Sequence, residues 1–316
     1  FLMFCLSIGV GEFQVSLPQV IATIFGQGEP VDEFVIMDLR MPRALAGLVV
    51  GVALGVSGAI TQSLARNPLA SPDILGITSG ASAVAVALVT VSGGTVVAGS
   101  LGLPAAALAG GLGTGLLVYL LAWRRGIDGF RLILIGISVS ALMEAITTWL
   151  LITADIRDVA RAQAWLVGSL EDRSWGEVSA ALWTALTLMV VVSAVAFHLK
   201  PMHFGDDVAV GLGVRHSLVR AVLMLCAVLL AGVAVSVGGP IPFVALVAPQ
   251  VAMRLARYPT PPLVASGLFG ALLVLGADLV ARTALPISLP AGVVTAAIGG
   301  PFLVYLVVRA NLRRLA

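Results

Sequence analysis

The chain has 316 residues, of which 59% are hydrophobic and only 11% charged, and its mean hydropathy is +1.08. A soluble domain carries roughly 25% charged residues, so this composition excludes one and calls for a polytopic membrane protein. The net charge of +2 says little about partners until the two sides of the membrane are counted separately, and no basic tract points to nucleic acid.

An apolar run of about 20 residues crosses the hydrocarbon as a helix that satisfies its own backbone hydrogen bonds. No period-2 alternation suggests a barrel, so the expected fold is all-α, one transmembrane domain over residues 1–316. In chain order, Phe1 to Gly11 is apolar but too short to span and reads as the remaining part of a first helix; a cleaved signal peptide fits less well, because no small-residue cleavage pattern follows. Residues 12–41 are mixed, with a short amphipathic piece at 17–25. Further apolar runs lie at 43–64, 74–91, 103–123, 132–152, 178–199, 218–237, 241–255, 263–281 and 291–308, which predicts ten spans in all. Cys5 and Cys226 both sit in such runs without paired spacing and read as core residues.

An even number of spans puts both ends on one face. Twelve of the 18 basic residues fall on the side of the C-terminus, whereas Arg40, Arg43, Arg157, Arg161, Arg173 and Arg282 fall on the other. The positive-inside rule then makes the C-terminus cytoplasmic.

The second span carries Gly47, Gly51, Gly55 and Gly58 on one helical face, a stripe that lets another backbone approach closely. It suits a helix at the centre of a bundle and equally one lining a pathway. Gly- and Pro-rich breaks follow at 67–72, beginning Asn67-Pro68, and at 238–242. Broken segments in two parts of a membrane chain point to a transport pathway, although any tight turn between helices also favours these residues. Ionisable residues inside spans are costly and therefore informative. Asp278 lies four residues before Arg282, which predicts an ion pair along one helix face. Glu144 has no such partner in sequence.

The longest polar interruption, residues 200–220, holds the only lysine, Lys200, along with His203 and His216; His198 lies on its flank. Within it Asp206-Asp207 reads as a helix start, Val208 to Leu212, including Ala209 and Gly211, as a short helix, and Gly213 as its stop. Connections between packed helices usually take about 2–8 residues. The loop over 200–217 therefore reads as a contact surface for a soluble partner rather than a plain connector. The histidine spacings share no helix face, so no metal site is expected. No phosphate-binding Gly-x-x-x-x-Gly-Lys-Ser/Thr, His-Glu-x-x-His or Gly-x-Ser-x-Gly arrangement occurs. The chain is not read as an enzyme, and no cofactor is expected. Uphill transport would draw on an ion gradient through a residue such as Glu144, as in an ion-coupled secondary transporter, or on a separate ATPase.

Several stretches together resemble one family, the permease subunits of bacterial ABC importers for iron-siderophores, haem and cobalamin. They are 39–43, Gln62 with 66–72, 165–170, 209–214, 239–246, 276–282, 289–290 and 299–301, in the family's order. The resemblance implies a type II importer permease of ten helices, working as a homo- or heterodimer in the bacterial cytoplasmic membrane with the path at its interface. It also implies two cytoplasmic ATPases and an extracytoplasmic binding protein. By the same resemblance Asp206 to Val214 is similar to a coupling helix seated in the ATPase, and Arg40, Arg43 and Arg282 match arginines that pair with acidic residues of the binding protein. Gln250 stands where relatives usually have histidine, Pro242 and Ala245 replace common glycines, and Ser288 replaces a glutamate. The 165–170 stretch favours a siderophore cargo over cobalamin.

Overall fold

The computed structural model describes residues 1–11, 15–91, 102–122, 129–199, 216–284 and 288–315, and every regular element among them is helical. α1 (Leu2–Gly9), α2 (Leu17–Ile24) and α3 (Pro30–Glu33) lead into a π-helical turn, Phe34–Arg40, that runs without a break into α4 (Met41–Ala65). There follow α5 (Ile77–Val91), α6 (Gly102–Ala122), α7 (Gly129–Thr153), α8 (Ile156–Leu166) and α9 (Trp175–Ala196). The remainder are α10 (His216–Gly238), α11 (Val244–Leu255), α12 (Leu263–Thr283) and α13 (Ala291–Leu315). The amphipathic piece expected near residue 20 is α2, opened by a Ser16–Gln19 capping box. α8, by contrast, has no counterpart among the apolar runs.

Six of the described helices are long and apolar enough to cross a membrane, and the apolar helices at 77–91 and 244–255 are shorter. Part of the shortfall against the expected ten, among the described residues, has a local cause. The apolar run from residue 74 is not all helix, because Gly76 turns the chain at a φ of 77° before α5 begins. The run from residue 241 is interrupted in the same way by Phe243, at a φ of 66°. α11 is thus only 12 residues long, about 18 Å at a rise of 1.5 Å per residue, against a hydrocarbon thickness of about 30 Å.

α4 is the axis of the bundle, and its glycine stripe packs on backbone. A Cβ at Gly51 would lie 2.5 Å from the Ala271 Cα of α12, one at Gly55 would overlap the Ser266 carbonyl of α12, and one at Gly58 would overlap the Ala245 carbonyl of α11. Gly47 faces the Leu275 side chain. Pro249 explains the last backbone contact, since it has no N–H to bond the carbonyl four residues earlier, which belongs to Ala245. On another face Ser57 Oγ donates to the Ala227 carbonyl of α10 at 2.6 Å. α7 and α9 contrast with this packing, keeping Leu142, Trp149, Trp183 and Val190 exposed.

Candidate functional site

The two Gly/Pro breaks meet at one cavity. Its volume is about 820 Å³, and its wall includes Ser71 from the first break with Asp73 and Ile74 just after it, and Pro240 and Pro242 from the second with Phe243 just after it. α7 contributes a stripe at helical spacing, Ile137, Ser140, Ala141 and Glu144, and α13 adds Gly292, Val293 and Ala296. Leu166 and Val167, from the stretch that favours a siderophore cargo, complete one side. Three segments lock together there through small residues. The Gly292 amide donates to the Gly168 carbonyl at 3.0 Å, and a Cβ at Gly168, φ 75°, would overlap the Pro240 carbonyl.

The polar groups of this wall are few and acidic. Thr78 Oγ1 donates to Asp73 Oδ1 at 2.5 Å, and burial pushes the Asp73 carboxyl above its ordinary range while that hydrogen bond pulls it the other way. Glu144 borders both this cavity and a neighbouring one of about 410 Å³ lined by Ser79, Thr147 and Thr148. Its carboxylate has no hydrogen-bond or ion-pair partner among the described residues, and the same holds for the buried Ser140 Oγ. No arginine, lysine or histidine among the described residues lines the main cavity. The cavity presents an apolar surface with scattered hydroxyls and two carboxyl groups.

Gln62 and Gln250 lie elsewhere, in the packed layer between α4 and α11. Gln250, 1% exposed, donates to Gln62 Oε1 at 2.7 Å, and Gln62 donates to the Leu246 carbonyl at 3.1 Å. Arg254 donates to the Gln250 carbonyl at 2.6 Å and lies 5.9 Å from the centre of the Phe302 ring of α13. With both amides paired inward, this chain of groups ties α4, α11 and α13 together. Asn67 Oδ1 accepts from the Leu69 amide at 2.9 Å, closing the turn at Asn67-Pro68 after α4. The glycine stripe is likewise engaged in packing.

Arg40 and Arg282 meet the end of α1, and Arg43 joins Arg282 at Asp278. Arg43 holds Asp278 with two nitrogens, Nη2 to Oδ1 at 2.8 Å and Nε to Oδ1 at 3.1 Å, and Arg282 Nε lies 3.6 Å from Oδ2. Asp278 is 1% exposed. The expected Asp278–Arg282 pair along the helix is present, and the interhelical Arg43 is the stronger partner. Arg282 also donates to the carbonyl oxygens of Val10, at 2.7 Å, and Ser7. Arg40 donates to the Ile8 carbonyl at 2.8 Å. A helix leaves its last carbonyls unpaired and slightly negative, and here two guanidinium groups satisfy those of α1. The 206–214 stretch, with Asp206, Asp207, Ala209, Gly211, Leu212 and Gly213, lies outside the described residues.

Asp73 and Phe243 are among the wall residues that sequence reasoning missed. The first break, extended by one residue, would have found Asp73; nothing in the sequence marks Phe243 as left-handed.

Residues 1–309 match the FecCD transport family. The ferric enterobactin transport system permease protein FepG of Escherichia coli K12 is 41% identical over 306 residues, covering 96% of this chain and 91% of FepG. The achromobactin transport system permease protein CbrC of Dickeya dadantii is 40% identical over 305 residues, covering 96% of this chain and 87% of CbrC. Among solved structures, an inward-facing conformation described as a metal-chelate type ABC transporter superposes with a TM-score of 0.84 at 29% identity, over 98% of this chain and 96% of that one. A match over nearly the whole chain settles membership: the chain belongs to the FecCD transport family.

Proposed function

We propose that the chain is the membrane permease of an ATP-driven importer that carries an iron–siderophore complex across the bacterial cytoplasmic membrane, and that the 820 Å³ cavity is its half of the path. The observation that carries the reading is the family match over residues 1–309. FepG and CbrC, named for ferric enterobactin and achromobactin, support a siderophore as cargo. The cavity supports the path, because a mid-helix carboxylate on an otherwise apolar helix belongs against water or a partner rather than lipid.

In this reading the exposed side of α7 faces a second permease subunit, identical or homologous, and lipid covers the rest. An extracytoplasmic binding protein delivers the chelate at the Arg40, Arg43 and Arg282 end. Because Arg40 and Arg282 also hold α1 and Arg43 holds Asp278, docking acids must add to their inward contacts or compete with them. A cytoplasmic ATPase engages the 200–217 loop, and the positive-inside count supports a cytoplasmic C-terminus.

The test is uptake of radioiron-labelled siderophores by cells expressing the whole system. Uptake that follows ATP and survives an uncoupler at constant ATP is the expected result. Uptake abolished by the uncoupler at constant ATP would instead assign the chain to ion-coupled transport through Glu144. Uptake of haem or cobalamin in place of every ferric siderophore would change the cargo and keep the importer.

A further inference from the structure

We propose that Phe243 is the gate of the 820 Å³ cavity: it borders the cavity on a left-handed backbone in this structure, and its ring closes the path when that backbone relaxes. The proposal rests on the importer reading above and names the residue that opens and closes the same path. A bulky aromatic residue at a φ of 66° and ψ of −20° is a genuine conformational outlier. Such strain persists only where the surroundings over-determine it, and it gathers at switch regions.

The surroundings here are specific. The Phe243 carbonyl accepts from the amides of Leu246 and Val247, at 3.1 and 2.8 Å, so the strained residue starts α11. Before it the chain is stiffened by Pro240 and Pro242. Behind the ring, α13 has Gly299, where any Cβ would overlap the Cβ and Cγ of Phe243. Phe243 borders two voids. The one behind it, shared with Ala277 and Thr295, holds about 10 Å³, whereas the cavity in front holds about 820 Å³. A void of about 10 Å³ is at most the size of one water, so the larger room for the ring lies in front, on the side of the path.

α11 also supplies a means of moving it. Ala245, next but one to Phe243, has its carbonyl released by Pro249. The far end of the helix is tied to Gln62 and Phe302 through Gln250 and Arg254. A shift of α4 against α13 therefore turns α11 as a unit and is delivered at its first residue.

The experiment uses the permease reconstituted in liposomes with its ATPase and binding protein, and two variants expected to act in opposite directions. Phe243→Gly removes the ring and relieves the left-handed strain, shifting the population toward the open state by about tenfold. Leakage of a trapped ferric trihydroxamate, without ATP or binding protein, should rise accordingly. Gly299→Ala pushes the ring forward, and ATP-driven uptake should fall several-fold while capture of the loaded binding protein stays at the parental level. An assembled Phe243→Gly complex no leakier than the parent, or a Gly299→Ala complex that transports at the parental rate, overturns the gate. Should Phe243→Gly fail to assemble, Gly299→Ala decides alone. Failure of the importer reading looks different: the parental complex itself shows no ATP-driven uptake, while the leak assay still reads the gate.

Discussion

Asp278 shows how much of the bundle's end around α1 hangs on one carboxylate. It is 1% exposed and held by Arg43 at 2.8 Å, with Arg282 at 3.6 Å. Removing one partner of a buried ionic cluster leaves uncompensated charge and costs about 3–5 kcal/mol. Asp278→Ala should therefore lower the thermal midpoint of the detergent-solubilised protein strongly, whereas Glu171→Ala, at an exposed turn, should not. The i,i+4 spacing makes the Arg282 half of this cluster readable in the sequence. The Arg43 half is not readable, because the two residues are 235 positions apart and nothing local links them. Asp73 gives a second prediction. Burial raises its pKa, so the folded protein keeps that proton to higher pH than the unfolded chain does. The stability this contributes is complete below the ordinary carboxylate range and is lost as pH rises through the folded value. Asp73→Asn keeps an acceptor for Thr78 and should stabilise the protein at mildly alkaline pH but not at acidic pH, as read from melting curves at the two conditions.

At the scale of elements, α4 and its neighbours approach at backbone distance because the stripe has no side chains. Gly58→Ala would drive a methyl into the Ala245 carbonyl, and overpacking of this kind costs about 1–3 kcal/mol. Gly113 of α6 has open space around it, and replacing a helix-interior glycine with alanine gains about 0.5–1 kcal/mol. Melting temperatures of Gly58→Ala and Gly113→Ala should thus move in opposite directions; a common direction would mean that helix propensity, not close packing, sets the effect. The stripe's spacing is legible in the sequence because four glycines share a face. Its partners are not, since they depend on how α11 and α12 fold back. The length of α11 escapes the sequence for a related reason: Ile241 to Phe243 is apolar enough for a span, and only the left-handed turn at Phe243 shows that the helix starts later.

At the scale of the whole molecule, composition alone dictates the membrane and the helical class, and the two Gly/Pro breaks mark the neighbourhood of the cavity. What the breaks do not reveal is that residues 71–74 and 240–243 face one another across a single cavity with Glu144 on its wall, because that convergence is made by long-range packing of α5, α7, α11 and α13. The central claim is that this cavity carries the cargo. It is tested most directly by replacing Cys5 and Cys226, introducing Ala141→Cys on the cavity wall, and measuring ATP-driven ferric siderophore uptake by the reconstituted complex after treatment with a bulky thiol reagent. A parallel Leu117→Cys variant, on an exposed face away from the cavity, serves as control. Labelling of Ala141→Cys should block uptake and be slowed by the loaded cargo, with the control unaffected; labelling that leaves uptake at the untreated rate, or that cargo does not slow, would contradict the account.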